Sequence, residues 1–153
     1  MTNAELLQVI LRECRTHAEV LAEASDELGD VQFDKDSVVK MIAGQRRLLD
    51  QLAYRFTKLQ DSMGMKLLPL LLDLAEEPLP ENVTFAVKLQ QLERLGALQS
   101  VEKWRMLREI RNQLAHEYED APALKAAALN RFIEAIKSLL GLWRHTEKFS
   151  LAY

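Results

Sequence analysis

The residues best suited to chemistry lie in one short stretch, Arg111-Asn112-Gln113-Leu114-Ala115-His116-Glu117-Tyr118. Its imidazole is able to take or give a proton near neutral pH. Its guanidinium is able to hold a phosphate group through two parallel hydrogen bonds. Nowhere else does the sequence join an arginine, a histidine and a tyrosine within eight residues, so the stretch favours work on a phosphodiester.

This stretch is predicted to lie at the end of an amphipathic helix. The helix begins after the capping residue Ser100 and stops before Asp120-Ala121-Pro122. Apolar residues recur along it at helical spacing. They are Leu107, Ile110, Leu114 and Tyr118.

The polar side of the same helix gathers the candidate functional residues. Asn112 and His116 are four positions apart and share a face with Arg105, and Arg108 lies close beside them. Arg111 and His116 are about 140° apart around a straight helix. Either the helix loosens at its end, or a second subunit supplies the partner residue.

Each functional candidate also has a purely structural interpretation. Tyr118 falls on the apolar stripe and could be a core residue with its hydroxyl at the rim. His116 could cap the helix end, where a cation suits the dipole. Arg111 could pair with Glu117 or Asp120. These interpretations compete with a phosphodiester site.

The rest of the sequence predicts an all-α fold, an antiparallel bundle of four or five helices in a single domain spanning residues 1–153. Leu, Ala, Glu, Lys, Arg and Gln dominate, and glycine and proline are few. Besides the site helix, four helices are expected. They run from Asn3 to Leu28, from Asp34 or Asp36 past Gly64 with a kink at Pro69, from Asn82 to Gly96, and from Asp120 with Pro122 in the first turn.

Several finer expectations accompany this arrangement. Cys14 and His17 fall on the apolar stripe of the first helix, where His17 is expected to be a core or edge residue with a local partner. The apolar run 67–74 is expected to be deeply buried or to form a subunit contact. A loop is predicted over residues 76–80 and a frayed tail over residues 145–153. Inward-facing positions are predicted to include Ile42, Phe85 and Leu124.

Composition limits the function. The net charge of −3 gives no general attraction to nucleic acid, so contact with RNA requires a local basic patch. A single cysteine excludes an internal disulfide. The first residues lack the basic region of a signal peptide, and no apolar run is long enough to cross a bilayer, which predicts a cytoplasmic protein away from membranes. No glycine-rich phosphate loop or cluster of metal ligands is found, so no cofactor and no metal are expected.

The motif resembles the signature of the HEPN superfamily, which is an arginine followed by a polar residue and, a few positions later, a histidine near a helix end. The Arg-x4-His-x-Tyr form resembles the HepT toxins, which bacteria and archaea pair with a minimal nucleotidyltransferase antitoxin. Arg111, Asn112, His116 and Tyr118 each match that pattern. The resemblance implies a HEPN-like helical bundle that forms a homodimer with its motifs facing across a cleft.

The resemblance also implies a function. It indicates a metal-independent endoribonuclease, the toxin of a type VII-like module, that leaves a 2′,3′-cyclic phosphate. His116 would transfer protons, Arg111 would stabilise charge on the phosphoryl oxygens, and Asn112 would orient the imidazole or the phosphate. Arg105 and Arg108 would guide RNA. The nucleotidyltransferase partner would silence the nuclease by adding AMP to the motif tyrosine, here Tyr118.

An alternative within the same resemblance is a helical partner that binds a nucleotidyltransferase or positions its substrate and performs no catalysis. It keeps the fold and the partner and loses the chemistry. An RNA-cleavage assay separates the two.

Overall fold

In the computed structural model, which describes residues 1–76, 79–114, 116 and 118–153, the protein is an all-α helical bundle. The predicted fold class is therefore confirmed. The described residues form seven helices. These are α1 (Asn3–Leu28), α2 (Lys35–Val39), α3 (Ala43–Ser62), α4 (Leu68–Leu74), α5 (Phe85–Leu95), α6 (Val101–Gln113) and α7 (Pro122–Ser150).

The first helix is observed with the predicted boundaries. The Thr2 side chain accepts from the Glu5 amide while the Glu5 carboxylate accepts from the Thr2 amide, which satisfies two free donors of the first turn. Cys14 and most of the predicted stripe are buried along α3 and α7. His17 is the exception, since it sits half-buried at the edge of the α1–α3 contact.

The prediction of one long second helix is wrong, because the helix is interrupted between α2 and α3. Asp34 caps α2, and Ile42, the residue before α3, has extended backbone and is 70% exposed. The two helices pack on different neighbours, α2 on α7 and α3 on α1. The apolar spacing continues across the break, so periodicity alone could not reveal it.

Helix α3 continues into α4 through a π-helical turn, Met63–Leu67. The Leu68 amide donates to the carbonyl of Met63, five positions back. Pro69 has no amide to donate, and its ring would clash with a carbonyl four positions back in a regular helix, so the wider turn accommodates it. The helix continues past Gly64 as predicted, through this π-helical turn, and the kink at Pro69 stays a prediction.

The apolar run 67–74 lies in the core of the single chain. Leu67, Leu68 and Leu71 are completely buried. A Cβ added at Gly64 would lie 3.0 Å from Trp104 Cζ2, which shows how closely this segment meets α6. Of the two expectations for the run, deep burial is confirmed.

The boundaries of α5 and α7 correct the predicted caps. Thr84 caps α5 in place of Asn82, and Ala121 precedes α7 with no side-chain cap in place of Asp120. Both predictions chose a good capping residue one or two positions too early. Phe85 and Leu124, expected to face inward, are exposed because each lies in the first turn of its helix, before the helix reaches the core.

The C-terminal segment was predicted to fray, and that prediction is wrong. Helix α7 continues to Ser150, and both Thr146 and Ser150 are buried. Thr146 Oγ1 donates to the Ala97 carbonyl at 2.8 Å, and His145 Nε2 lies 2.8 Å from the Gly96 carbonyl oxygen. The segment is therefore fixed to the loop that precedes α6.

The predicted loop over residues 76–80 has no helix at its described positions, and Glu77 and Pro78 lie outside the described residues.

Candidate active site

Helix α6 places two arginines against one carboxylate of α3. Arg111 Nη2 donates to Asp61 Oδ2 at 3.1 Å, and Arg108 Nη1 donates to Asp61 Oδ1 at 3.2 Å. Arg108 and Arg111 are three positions apart and therefore lie on one helix face. Because one carboxylate faces two guanidinium groups, the cluster keeps an excess positive charge.

The Arg111 side chain is anchored where α3 and α6 meet. It is 30% exposed, and its Nε is buried without a hydrogen-bond partner. The amide group of Gln60, the residue before Asp61, is also buried and has no partner. Within the described residues, these two side chains are the only ones with such unsatisfied buried atoms.

The other polar residues predicted for this helix remain at its surface. Asn112 is exposed, and its Oδ1 accepts from Arg111 Nη1 at 3.4 Å, a long and weak contact. Arg105 is exposed and is one turn from Arg108. Asp61, Arg108, Arg111 and Asn112 therefore form one cluster, with Arg105 beside it.

His116 does not share a helix face with Asn112, and that prediction is wrong. Helix α6 ends at Gln113, before the histidine, and the His116 amide donates to the Gln113 carbonyl at 3.0 Å in a turn. The His116 side chain is exposed. The sequence offered two ways to form a compact site, and the first was a helix that loosens at its end. The structure shows such an end, because α6 stops before His116. No hydrogen bond joins His116 to Arg111 in the part of the chain that the structure describes.

Tyr118 also lies beyond α6, so its predicted place on the apolar stripe of that helix is wrong. It is half-buried, and its ring centroid lies 6.5 Å from that of His116, with an angle of 41° between the planes. The Ala121 amide donates to its carbonyl at 3.0 Å, one residue before α7. Tyr118 thus flanks His116 in the α6–α7 connection.

The structure adds one residue that sequence reasoning missed, Asp61. The structural interpretation of Arg111 paired it with Glu117 or Asp120. Its observed partner is Asp61, while Glu117 lies outside the described residues. Asp61 and Arg111 are 50 positions apart, so no local pattern indicates their contact. The only sequence signal for Asp61 was its position near the end of α3, next to residues of the buried face of that helix.

The arginine pair is chemically able to hold an anion, and the imidazole of His116, five positions after Arg111, is able to move a proton. The guanidinium groups of Arg108 and Arg111 supply directional donors, and the exposed imidazole of His116 is open to solvent and substrate.

Among the described residues, no group of three or more His, Cys, Asp or Glu side chains could hold a metal ion. Over the same residues, no helix combines the length and the apolar character needed to cross a bilayer.

Comparisons of the chain with protein-family models, with curated proteins and with solved structures found no match.

Proposed function

We propose that the chain is a metal-independent endoribonuclease that cleaves RNA by internal transfer of a phosphoryl group. One observation carries the proposal. An arginine held firmly at the end of α6 is followed, just beyond the helix, by an exposed histidine. Because the helix ends between them, His116 is free of the 140° separation that a straight helix would impose on the pair.

In the proposed reaction the ribose 2′-oxygen attacks the adjacent phosphorus. The bond from phosphorus to the 5′-oxygen breaks, which leaves a 2′,3′-cyclic phosphate and a free 5′-hydroxyl. His116 acts either as a base that accepts the proton of the 2′-hydroxyl or as an acid that donates a proton to the leaving 5′-oxygen. Arg111 stabilises the charge that builds on the non-bridging oxygens, and Asn112 orients the phosphate or the imidazole.

The RNA strand would approach along the exposed flank of α6. Arg105 is exposed and has no ion pair within the described residues, so its guanidinium is open to a phosphate. Arg108 shares Asp61 with Arg111 and is open to a phosphate on its other donors. These two residues are the proposed RNA-guiding pair.

A homodimer is part of the proposal. In an in-line displacement, the attacking and leaving oxygens lie on opposite sides of the phosphorus, and one imidazole is unable to contact both. A two-fold axis near the α6 ends would bring a second His116 to the other side. If instead a site takes Arg111 from one subunit and His116 from the other, mixing inactive Arg111→Ala and His116→Ala chains should restore part of the activity. A monomer that cleaves at full rate would refute the homodimer in either form.

The proposed biological setting is a cytoplasmic toxin–antitoxin pair with a minimal nucleotidyltransferase. The half-buried Tyr118 ring lies beside His116, so an adenylate on its hydroxyl would occupy the space next to the imidazole. Incubation with such a partner and ATP should add mass in AMP units to the wild type and none to Tyr118→Phe. Equal modification of both chains would place the modified residue elsewhere.

The direct test of cleavage uses His116→Ala with His145→Ala as its matched control. Loss of a proton-transfer group reduces rates by about 10² to 10⁴. His145 contacts the Gly96 carbonyl, far along the chain from the cluster, and its loss should leave cleavage unchanged. Equal cleavage by the wild type and His116→Ala would remove His116 from the mechanism.

A second candidate function is a non-catalytic partner of the nucleotidyltransferase. One observation favours it, since Arg108 and Arg111 both donate to Asp61 and neither donates to His116 within the described residues. This candidate predicts complex formation with the nucleotidyltransferase and no cleavage of any RNA by the pure wild type.

A further inference from the structure

A surface groove of about 370 Å³ runs between α1 and α3 beside the arginine cluster. Its walls include His17 from α1 and Tyr54, Lys58 and Asp61 from α3. Asp61 belongs to both features, because it lines the groove and also accepts from Arg108 and Arg111. The groove is therefore adjacent to the candidate active site, and its volume lies within the about 300–1,000 Å³ typical of ligand sites.

Of the two lysines that line the groove, Lys58 has no ion pair within the described residues and Lys66 has one. Lys66, at one end, donates both of its contacts to Glu13, at 2.9 and 3.0 Å. Lys58 carries its full charge at the groove, and Arg55 contacts the imidazole of His17. The groove lining holds two carboxylates, Glu13 and Asp61, and two ammonium groups, Lys58 and Lys66, so the positive charge available to a ligand is that of Lys58, with Arg55 beside the groove.

His17 presents a donor at this surface. Arg55 Nη1 lies 3.0 Å from His17 Nδ1, and since a guanidinium only donates, Nδ1 accepts. The ring proton of the neutral imidazole then resides on Nε2. The groove thus combines a neutral hydrogen-bond donor with the ammonium group of Lys58.

Tyr54 supplies an exposed aromatic ring, and the cationic groups of Arg55 and Lys58 lie over it. It is 55% exposed. The Arg55 guanidinium carbon and the Lys58 Nζ lie 5.5 Å and 5.6 Å from its ring centroid. An exposed ring flanked by basic side chains is the arrangement that single-strand binders use to stack bases and hold phosphates.

We propose that this groove holds one nucleotide of a single-stranded RNA next to the phosphodiester at Arg111, with its base stacked on Tyr54 and its phosphate bound by Lys58. The position of that nucleotide relative to the cleaved bond rests on the proposed function, whereas the binding itself is measured without cleavage. RNA fits better than an acidic peptide because a carboxylate chain has no flat base to place on the ring.

The test measures binding of a fluorescent single-stranded RNA in which every ribose is 2′-O-methylated, so that no 2′-hydroxyl is available for attack. An oligonucleotide on the order of ten residues matches the usual site sizes. Tyr54→Ala should weaken binding about tenfold, while Tyr54→Phe, which keeps the ring, and Tyr153→Ala, which removes another exposed tyrosine, should bind like the wild type. Circular dichroism should show that each variant is folded.

Salt dependence separates the two contacts. Lys58→Gln should lower the slope of log affinity against log salt by about 0.7, the value for one phosphate on a single strand. Tyr54→Ala should leave the slope unchanged, because stacking releases no counterion. Displacement of the RNA by polyglutamate at equal charge concentration would show recognition of charge alone and would overturn the proposal.

The outcomes also distinguish this inference from the proposed function. If Tyr54→Ala binds as tightly as the wild type while cleavage still depends on His116, the groove assignment is wrong and the nuclease stands. If the wild type cleaves no RNA but Tyr54→Ala loses binding, the groove stands as an RNA site and the nuclease falls. If the wild type neither binds nor cleaves RNA, both are overturned.

Discussion

Arg111 Nη2 and Asp61 Oδ2 are joined by a 3.1 Å hydrogen bond between residues 50 positions apart in the sequence. The contact fixes the end of α6 to α3 and sets the direction of the guanidinium. It also occupies one of the donors that a phosphate would use. Asp61 is therefore able to position Arg111 and to compete with an anionic ligand for it.

We predict that Asp61→Asn strengthens RNA binding and slows cleavage. Loss of the carboxylate charge releases both arginines for phosphate, while the loss of a fixed direction for Arg111 should lower kcat by about tenfold or more. Steady-state kinetics should show a lower KM together with a lower kcat. Asp50→Asn, an exposed aspartate on the same helix, serves as the control. Equal kcat in Asp61→Asn and wild type would remove the positioning role.

The same substitution should affect stability only slightly. All three side chains of the Arg108–Asp61–Arg111 cluster are partly exposed, and ion pairs of this kind contribute about 0–1 kcal/mol. Urea unfolding of Asp61→Asn and wild type should therefore agree within about 1 kcal/mol. A larger loss would mean that the kinetic effect reflects damage to the α3–α6 contact.

Gln60→Met is expected to stabilise the protein. The Gln60 amide is completely buried with both polar atoms unpartnered, and methionine has a similar shape without that desolvation cost. Removal of the unsatisfied group should raise the free energy of unfolding by about 1 kcal/mol. Gln51→Met, at an exposed position of α3, should change it by less than about 0.5 kcal/mol. A destabilised Gln60→Met would show that the amide is hydrogen-bonded in solution.

His17 should make the protein less stable as the pH falls. Burial, and then the positive charge of Arg55, lowers the pKa of His17, with smaller opposing or reinforcing effects from Glu13, Lys58 and Lys66. The unfolded chain therefore binds a proton at a higher pH than the folded chain does. The contribution of His17 to stability is complete above its unfolded pKa of about 6.5 and declines as the pH falls below that value.

The measurement for His17 is urea unfolding between about pH 5 and pH 8, the range over which stability is usually highest. Wild type should lose more stability on acidification than His17→Gln, which has no imidazole to protonate. Parallel curves for wild type and His17→Gln would contradict the prediction.

Cys14 should not react with thiol reagents in the folded protein. Burial raises the pKa of its thiol to about 12, and the thiolate is the reactive form. A disulfide reagent at neutral pH should modify the wild type only after urea is added, and Cys14→Ala should give no signal in either state. Rapid modification of the native chain would show that α1 opens from α3 on the timescale of the reaction.

The sequence predicted best those helices whose ends are marked by a capping residue or by a glycine. Thr2 with Glu5, Ser100 and Gly96 mark helix ends by their own chemistry, and the structure uses each of them. The break at Ile42 has no such marker, because the apolar spacing passes through it unchanged. The directions in which α2 and α3 pack determine that break, and those directions depend on residues far along the chain.

The site shows the same division between local and distant information. The motif containing Arg111 and His116 is visible in the sequence, but the end of its helix at Gln113, before the histidine, is not. The carboxylate that holds Arg111 comes from α3, and the groove that we assign to RNA comes from α1 and α3. Neither follows from spacing within one helix, because both depend on how two helices align.

The contact between Asn130 and Phe33 has a consequence for the order of synthesis. Asn130 Oδ1 accepts from the Phe33 amide and its Nδ2 donates to the Phe33 carbonyl, across 97 positions. The same α7 also supplies Phe132, whose ring packs edge-to-face on Phe56 at 5.3 Å. After the ribosome has synthesised α1 to α6, the core of the nascent chain therefore still lacks the side that α7 provides. The arginine cluster is completed against a finished core only after α7 has emerged, so translation itself delays the appearance of the folded site.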